Sequence, residues 1–150
     1  MVNSILLPID GSDRSREALD FAVETFPESE ITAYHVVTGG SGDLGAFAGM
    51  TGDLPDEEAI METSREILES ARRRGDENGI PVETARGRGR PDKLILDQAE
   101  TGDYDLVIIG SHGRDGLARV LLGSVAEKVV RRSPIPVLVY RPSDGDFEGR

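Results

Sequence analysis

The segment 108–124 reads Ile-Ile-Gly-Ser-His-Gly-Arg-Asp-Gly-Leu-Ala-Arg-Val-Leu-Leu-Gly-Ser, with Gly110, Gly113 and Gly123 followed by the hydroxyl of Ser124. Glycines just after an apolar run let the backbone approach a neighbour closely or take positive φ. Gly123 and Ser124 open a helical pattern, and the first N–H groups of a helix face any anion placed there. Together these residues make a phosphate cradle of backbone amides closed by the Ser124 hydroxyl. The same residues also fit a plain turn at Gly110 and an ordinary N-cap at Ser124. No Gly-Lys-Ser/Thr occurs, so the cradle is not a Walker loop, and no GxGxxG follows a strand. A Gly-x-Ser-x-Gly nucleophile elbow is absent too.

Other chemistry-bearing residues are few. Asp10 ends the first apolar run, where it can cap the turn through the Ser12 or Asp13 amide or face a ligand. The chain has no cysteine and two histidines far apart, His35 and His112, which excludes a disulfide framework, a zinc-thiolate site and a cysteine nucleophile. His35 reads as a packed strand residue. Arg86, Arg88 and Arg90 form the one basic cluster, read as a solvated loop, with phosphate or partner binding as the sharper alternative. No metal site and no catalytic pair are expected.

Alternating strand and helix signals must position these groups. Apolar runs at 3–9, 31–37 and 104–109 read as buried parallel strands. Residues 81–85 read as a weaker strand followed by an arginine-glycine turn over 86–90, and 136–141 as a fifth strand. Helices are expected after Ser12 up to Pro27, over 56–78, from Pro91 to Glu100 and over 124–132. The second has an inner stripe of Ile60, Ser64, Ile67 and Ala71, with Gly75 weakening its end and Gly79 closing it. The last opens with a capping box, Ser124 to Glu127. The glycine-rich stretch 38–54 lacks periodicity and reads as a long loop, either a lid or an insertion. Such alternation implies βαβ units and a doubly wound α/β sheet with helices on both faces. Ligands then bind at the carboxyl ends of the strands, at the topological switch point.

The chain has 150 residues, which favours one domain. With 17 Lys plus Arg against 28 Asp plus Glu the net charge is −11, unlike the basic face of a nucleic-acid binder. No apolar run reaches the ~18 residues of a membrane span. The opening Met-Val-Asn-Ser lacks the basic region of a secretory leader, so a cytoplasmic location is expected. Only Lys93 and Lys128 are lysines among the basic residues. That bias suits either a salt-rich cytoplasm or a GC-rich genome. A melting temperature that rises from low to molar KCl is the outcome expected of the halophilic reading, and a flat or falling one returns the bias to codon usage.

The spacing Gly110, two residues, Gly113, nine residues, Gly123-Ser124 resembles the ATP-binding pattern of the universal stress protein family. The flanks to Arg141 and the opening Ile5-Leu-Leu-Pro-Ile-Asp-Gly-Ser12 are similar to that family as well. The resemblance spans about 140 residues. It implies a single five-stranded parallel sheet of order 3-2-1-4-5 over residues 1–142, with a polar tail at 143–150. It also implies an adenine nucleotide (ATP, ADP or AMP), with Mg²⁺ carried by the phosphates. Pro8, Ile9, Asp10, Val36 and Ile109 match positions around the adenine. Gly110, His112, Gly113 and Arg114 match the loop along ribose and phosphates. Gly123, Ser124 and Val125 match the hold on the terminal phosphates. A stress-response switch or sensor follows, dimeric through the fifth strand. The alternatives are a weak ATPase and a dimeric interaction module that needs no nucleotide.

Overall fold

The computed structural model describes residues 1–38, 56–111 and 122–141. The expected 38–54 loop (beyond Thr38) and the polar tail lie outside the described residues, as do His112, Gly113 and Arg114. The elements run β1 (Ser4–Ile9), α1 (Asp13–Thr25), β2 (Glu30–Val37), α2 (Glu57–Glu77), β3 (Val82–Arg88), α3 (Pro91–Thr101), β4 (Leu106–Gly110), α4 (Ser124–Arg132) and β5 (Val137–Tyr140). The five strands form one sheet in the order β3-β2-β1-β4-β5, every neighbouring pair parallel. The expected topology is borne out.

Strand alternation sends side chains to two cores. Ile5, Leu7 and Ile9 of β1 face Ala18, Leu19, Ala22 and Val23 of α1 and Ala71 of α2. Leu6 of β1, Val36 of β2 and Val107 and Ile109 of β4 face Ile95 and Ala99 of α3 and Ala126 and Val129 of α4. Both faces of β1 and β4 are covered, which is why these runs are continuously apolar rather than alternating. The expected α2 stripe packs inward, with Ser64 and Ala71 buried and Ile60 and Ile67 half-buried.

Two local expectations are corrected and a third gains a packing role. Residues 86–88 are not a turn: β3 continues to Arg88, in register with β2 from Ile31–Val82 to Val37–Arg88. Pairing with β2 decides this, and Gly87 fits because its Cα lies directly beneath the Tyr34 hydroxyl. Gly75, read as weakening the end of α2, also has a packing role. It is buried within the helix where α2 crosses onto β3, and a Cβ there would lie 2.5 Å from the Ile80 carbonyl oxygen and overlap Val82. The helix does end at Gly79, whose φ of +72° suits glycine. Finally, Ser124 is not an N-cap. Gly123 takes that place, no side chain caps the helix, and the Glu127 amide bonds the Gly123 carbonyl at 2.9 Å. Glu127 pairs instead with Arg131 on the next turn.

Candidate functional site

Chain order places the switch point beside β1. The chain winds from β1 through β2 to β3, then crosses to β4 on the other side of β1. The two ladders of β1 differ. With β2 it is paired from Ser4–Glu30 to Ile9–His35. With β4 the register holds Ile5–Leu106 and Leu6–Val107 and stops short of Pro8. Proline has no N–H to donate, so a proline in a central strand ends a ladder on one side. The carboxyl ends of β1 and β4 are therefore not tied to each other, and this is the switch point at which sheets of this kind bind ligands.

Six of the expected residues gather there. Pro8 and Ile9 end β1, Val36 lies near the end of β2, and Ile109 and Gly110 end β4, all buried. Ile9 turns to the α1–α2 face, whereas Val36 and Ile109 turn to the α3–α4 face. Asp10 follows β1 half-buried, and its Oδ1 accepts the Ser12 amide at 2.9 Å. This is the turn-capping role, supported by Gly11 at φ +83°. Ser12 in turn caps α1 by accepting the Ser15 amide at 3.2 Å. Gly110 approaches protein closely: a Cβ there would meet the Arg14 backbone carbon at 3.2 Å and its carbonyl oxygen at 3.3 Å. Glycine lets the first turn of α1 sit directly over the end of β4.

Two backbone bonds join the remaining part. The Ser111 amide donates to the Tyr140 carbonyl at 2.9 Å, and the Gly123 amide donates to the Ser111 carbonyl at 2.5 Å. They hold the start of α4, with Gly123, Ser124 and Val125, against the ends of β4 and β5. Ser111 is fully buried. Its pivotal place was not read from the sequence, although it stands inside the glycine pattern. Side chains cap α1 at Ser12 and α2 at Asp56, whereas α3 and α4 have no side-chain cap; α4 is the one that starts beside the end of β4. Among the described residues no side chain accepts from its first amides, which carry the positive end of the helix dipole.

The arginine cluster is largely engaged in the fold. Arg88 holds both carboxylate oxygens of Glu57, tying the end of β3 to the first turn of α2. The Arg88 hydrogen bond keeps the Glu57 carboxyl below the usual carboxylate range. Arg90 pairs with Asp92 at 3.2 Å. Arg86 lies exposed on β3, opposite His35. His35 is buried as expected, its Nδ1 2.8 Å from the Ser64 hydroxyl. Among the described residues no cluster of His, Cys, Asp or Glu is arranged to hold a metal ion. No helix among them is long and apolar enough to cross a membrane.

A doubly wound parallel sheet of order 3-2-1-4-5 with helices on both faces defines an α/β domain of the Rossmann-like kind. The description "Universal stress protein family" matches residues 1–141, and the chain belongs to that family. It is 35% identical to universal stress protein YxiE of Bacillus subtilis, over 94% of this chain and all of that one. Among solved structures it resembles protein MJ0577 of Methanocaldococcus jannaschii, with a TM-score of 0.78 and 28% identity over 96% of this chain and 99% of that one. It also resembles a universal stress protein solved in complex with cAMP, with a TM-score of 0.65 and 25% identity over 95% and 99% of the two chains.

Proposed function

We propose that the protein binds an adenine nucleotide across the carboxyl ends of β1, β2 and β4 and acts as a switch in a stress response. The observation that carries this reading is the switch point, where β1 and β4 cease to pair beyond Leu6 and Val107 and the start of α4 is bonded to the end of β4. It is supported by the family and by a relative that holds cAMP. In this reading the base lies against Pro8, Ile9, Asp10, Val36 and Ile109. Gly110, His112, Gly113 and Arg114 line ribose and phosphates, and the amides of Gly123, Ser124 and Val125 take the outer phosphates. Because Ser124 does not cap its own helix, its hydroxyl is available to an anion. Mg²⁺, where present, is held mainly by the phosphates. Mass spectrometry of the nucleotide that co-purifies with native protein tests the reading. Nucleotide-free protein that also fails to bind ATP, ADP, AMP and cAMP by calorimetry overturns it.

Binding without appreciable turnover is expected. Hydrolysis needs a water held in line with the γ-phosphate and groups that stabilise the developing charge. Amides and one hydroxyl suit ground-state binding. Asp10 is committed to the Ser12 amide, and the reading puts it at the base rather than at the phosphates. Phosphate release, followed over hours with Mg²⁺ and an Asp10→Ala control, should stay far below the ~1–100 s⁻¹ of kinases. Release near 1 s⁻¹ in contaminant-free protein would make this an enzyme. As a switch, the nucleotide acts only through unequal affinity for two conformations.

A second reading, an interaction module, draws on β5. Among the described strands it is an edge strand paired to β4 alone, and Val137 to Tyr140 are each half-buried. Exposed edges tend to pair, and a two-fold axis makes that pairing antiparallel. Light scattering after gel filtration should give a dimer, converted to monomer by Val139→Lys. A monomeric parent at micromolar concentration, or a dimer untouched by the substitution, would count against it.

A further inference from the structure

Arg14 stands in the first turn of α1, which starts just after β1 ends, so the start of this helix lies at the carboxyl edge of the parallel sheet. There the helix passes over the end of β4: a Cβ at Gly110 would stand 3.2 Å from the Cβ of Arg14. Cα–Cβ bonds in a helix tilt toward its N-terminus, so the root of the Arg14 side chain leans toward the switch point rather than back over the sheet. Its charge is unanswered. Arg14 forms no ion pair and no side-chain hydrogen bond among the described residues. The carboxylates near it in the chain are committed elsewhere or stand apart. Asp10 holds the Ser12 amide, Asp13 pairs with Arg16, and Glu17 is not bonded to it. Three other described arginines lack a partner, Arg73, Arg86 and Arg132; these are exposed, and Arg14 is half-buried. In a chain with 28 Asp plus Glu, a guanidinium partly out of water without a carboxylate is unusual.

We propose that Arg14 is a further phosphate-binding residue of the nucleotide site, a charge that α1 brings beside the amides of Gly123, Ser124 and Val125. The proposal rests on the nucleotide reading and adds to it a residue from outside the glycine pattern. A guanidinium presents a planar fork of N–H donors, has no acceptor and stays charged at every working pH. Phosphate oxygens are acceptors that this fork fits in pairs. Position separates the two ends of the ligand. Gly110, on which Arg14 stands, is read along ribose and phosphates, whereas Pro8, Ile9 and Val36, read around the base, belong to β1 and β2. The cation also offsets locally the repulsion that a net charge of −11 exerts on a polyanion. Because the guanidinium has no protein partner to lose, its removal leaves the bonds of the fold intact.

Calorimetry on the whole chain at low ionic strength compares adenosine, AMP and ATP, for the parent and for Arg14→Gln, which keeps part of the stem and removes the charge. AMP and ATP affinity should each fall about tenfold, or ~1.4 kcal/mol, while adenosine affinity stays within about twofold. Arg14→Lys, a point charge without the fork, should recover part of the loss. The melting temperature of nucleotide-free protein should be the same in all three. ATP bound equally well by the parent and Arg14→Gln would overturn the proposal and leave the nucleotide reading standing. An equal loss for adenosine would make Arg14 a base or ribose contact, and a lower melting temperature in Arg14→Gln would make it a structural residue; either overturns the proposal. A parent that binds none of the three overturns the nucleotide reading, and this proposal with it.

Discussion

Gly123→Val is expected to lower adenine-nucleotide affinity on the order of 100-fold, about 2.7 kcal/mol, while leaving the fold intact. Gly123 is the N-cap of α4 at φ −67° and ψ 162°, extended backbone open to any L-residue. Valine therefore introduces no backbone strain at this position. Its amide bond to the Ser111 carbonyl also survives, because every non-proline residue supplies that N–H. What changes is the space in front of the helix start, where branched carbon would stand in place of a phosphate oxygen. Calorimetric titration with ATP measures the loss, and circular dichroism with a thermal melt supplies the control. Unchanged affinity would remove Gly123 from the site. A melting temperature lowered by more than a few degrees would show that its role is structural.

The second large effect concerns stability alone. Gly75→Val should destabilise the domain by about 3 kcal/mol, the upper end of the usual range for overpacking. A Cβ at Gly75 lies 2.5 Å from the Ile80 carbonyl oxygen and overlaps Val82, so α2 must lift from β3. Helix propensity pulls the other way, since glycine costs a helix interior ~1 kcal/mol relative to alanine. The overlap wins because a backbone oxygen and a buried β3 side chain cannot both retreat. The expected drop in melting temperature is roughly 6–12 °C for a domain of this size. Gly79→Ala is the matched comparison. Nothing lies within 4 Å of a Cβ there, so its cost is only that of the left-handed backbone at φ +72°, about 1 kcal/mol. If Gly75→Val melts no lower than Gly79→Ala, the close crossing of α2 over β3 is not what the sequence is built around.

Much of this architecture is legible in the order of the residues. The runs of β1 and β4 are apolar without alternation because helices cover both faces, and the α2 stripe shows helical spacing. What escaped was decided by partners rather than by local pattern. Arg86-Gly-Arg88 has the composition of a turn, and only its register with β2 makes it strand. Gly75 looks like a helix breaker until β3 is placed beneath it. Ser124 and Glu127 have capping-box spacing, yet the helix begins one residue earlier than that box requires. In the site, the glycines and Asp10 were visible by type and spacing. Their protein contacts were not: Gly110 is shaped by Arg14, and Asp10 by the Ser12 amide. Pro8 did carry a signal, because a proline inside an apolar run marks the point where a central strand loses a partner.

The bonds from Gly123 to Ser111 and from Ser111 to Tyr140 have a consequence for how such a domain can diversify. They bring Ser111 and Gly123 together at the end of β5, so two points twelve residues apart in the chain share one anchor on the sheet. Loop-closure entropy in general rises by only about 0.6 kcal/mol for each doubling of length, a small part of the ~5–15 kcal/mol that holds a domain together. A change of length between those two points is thus expected to cost the fold little and to fall instead on the proposed nucleotide site, whose Gly113-to-Gly123 spacing it breaks. Ligand preference can drift there through lineages while the five strands keep their places.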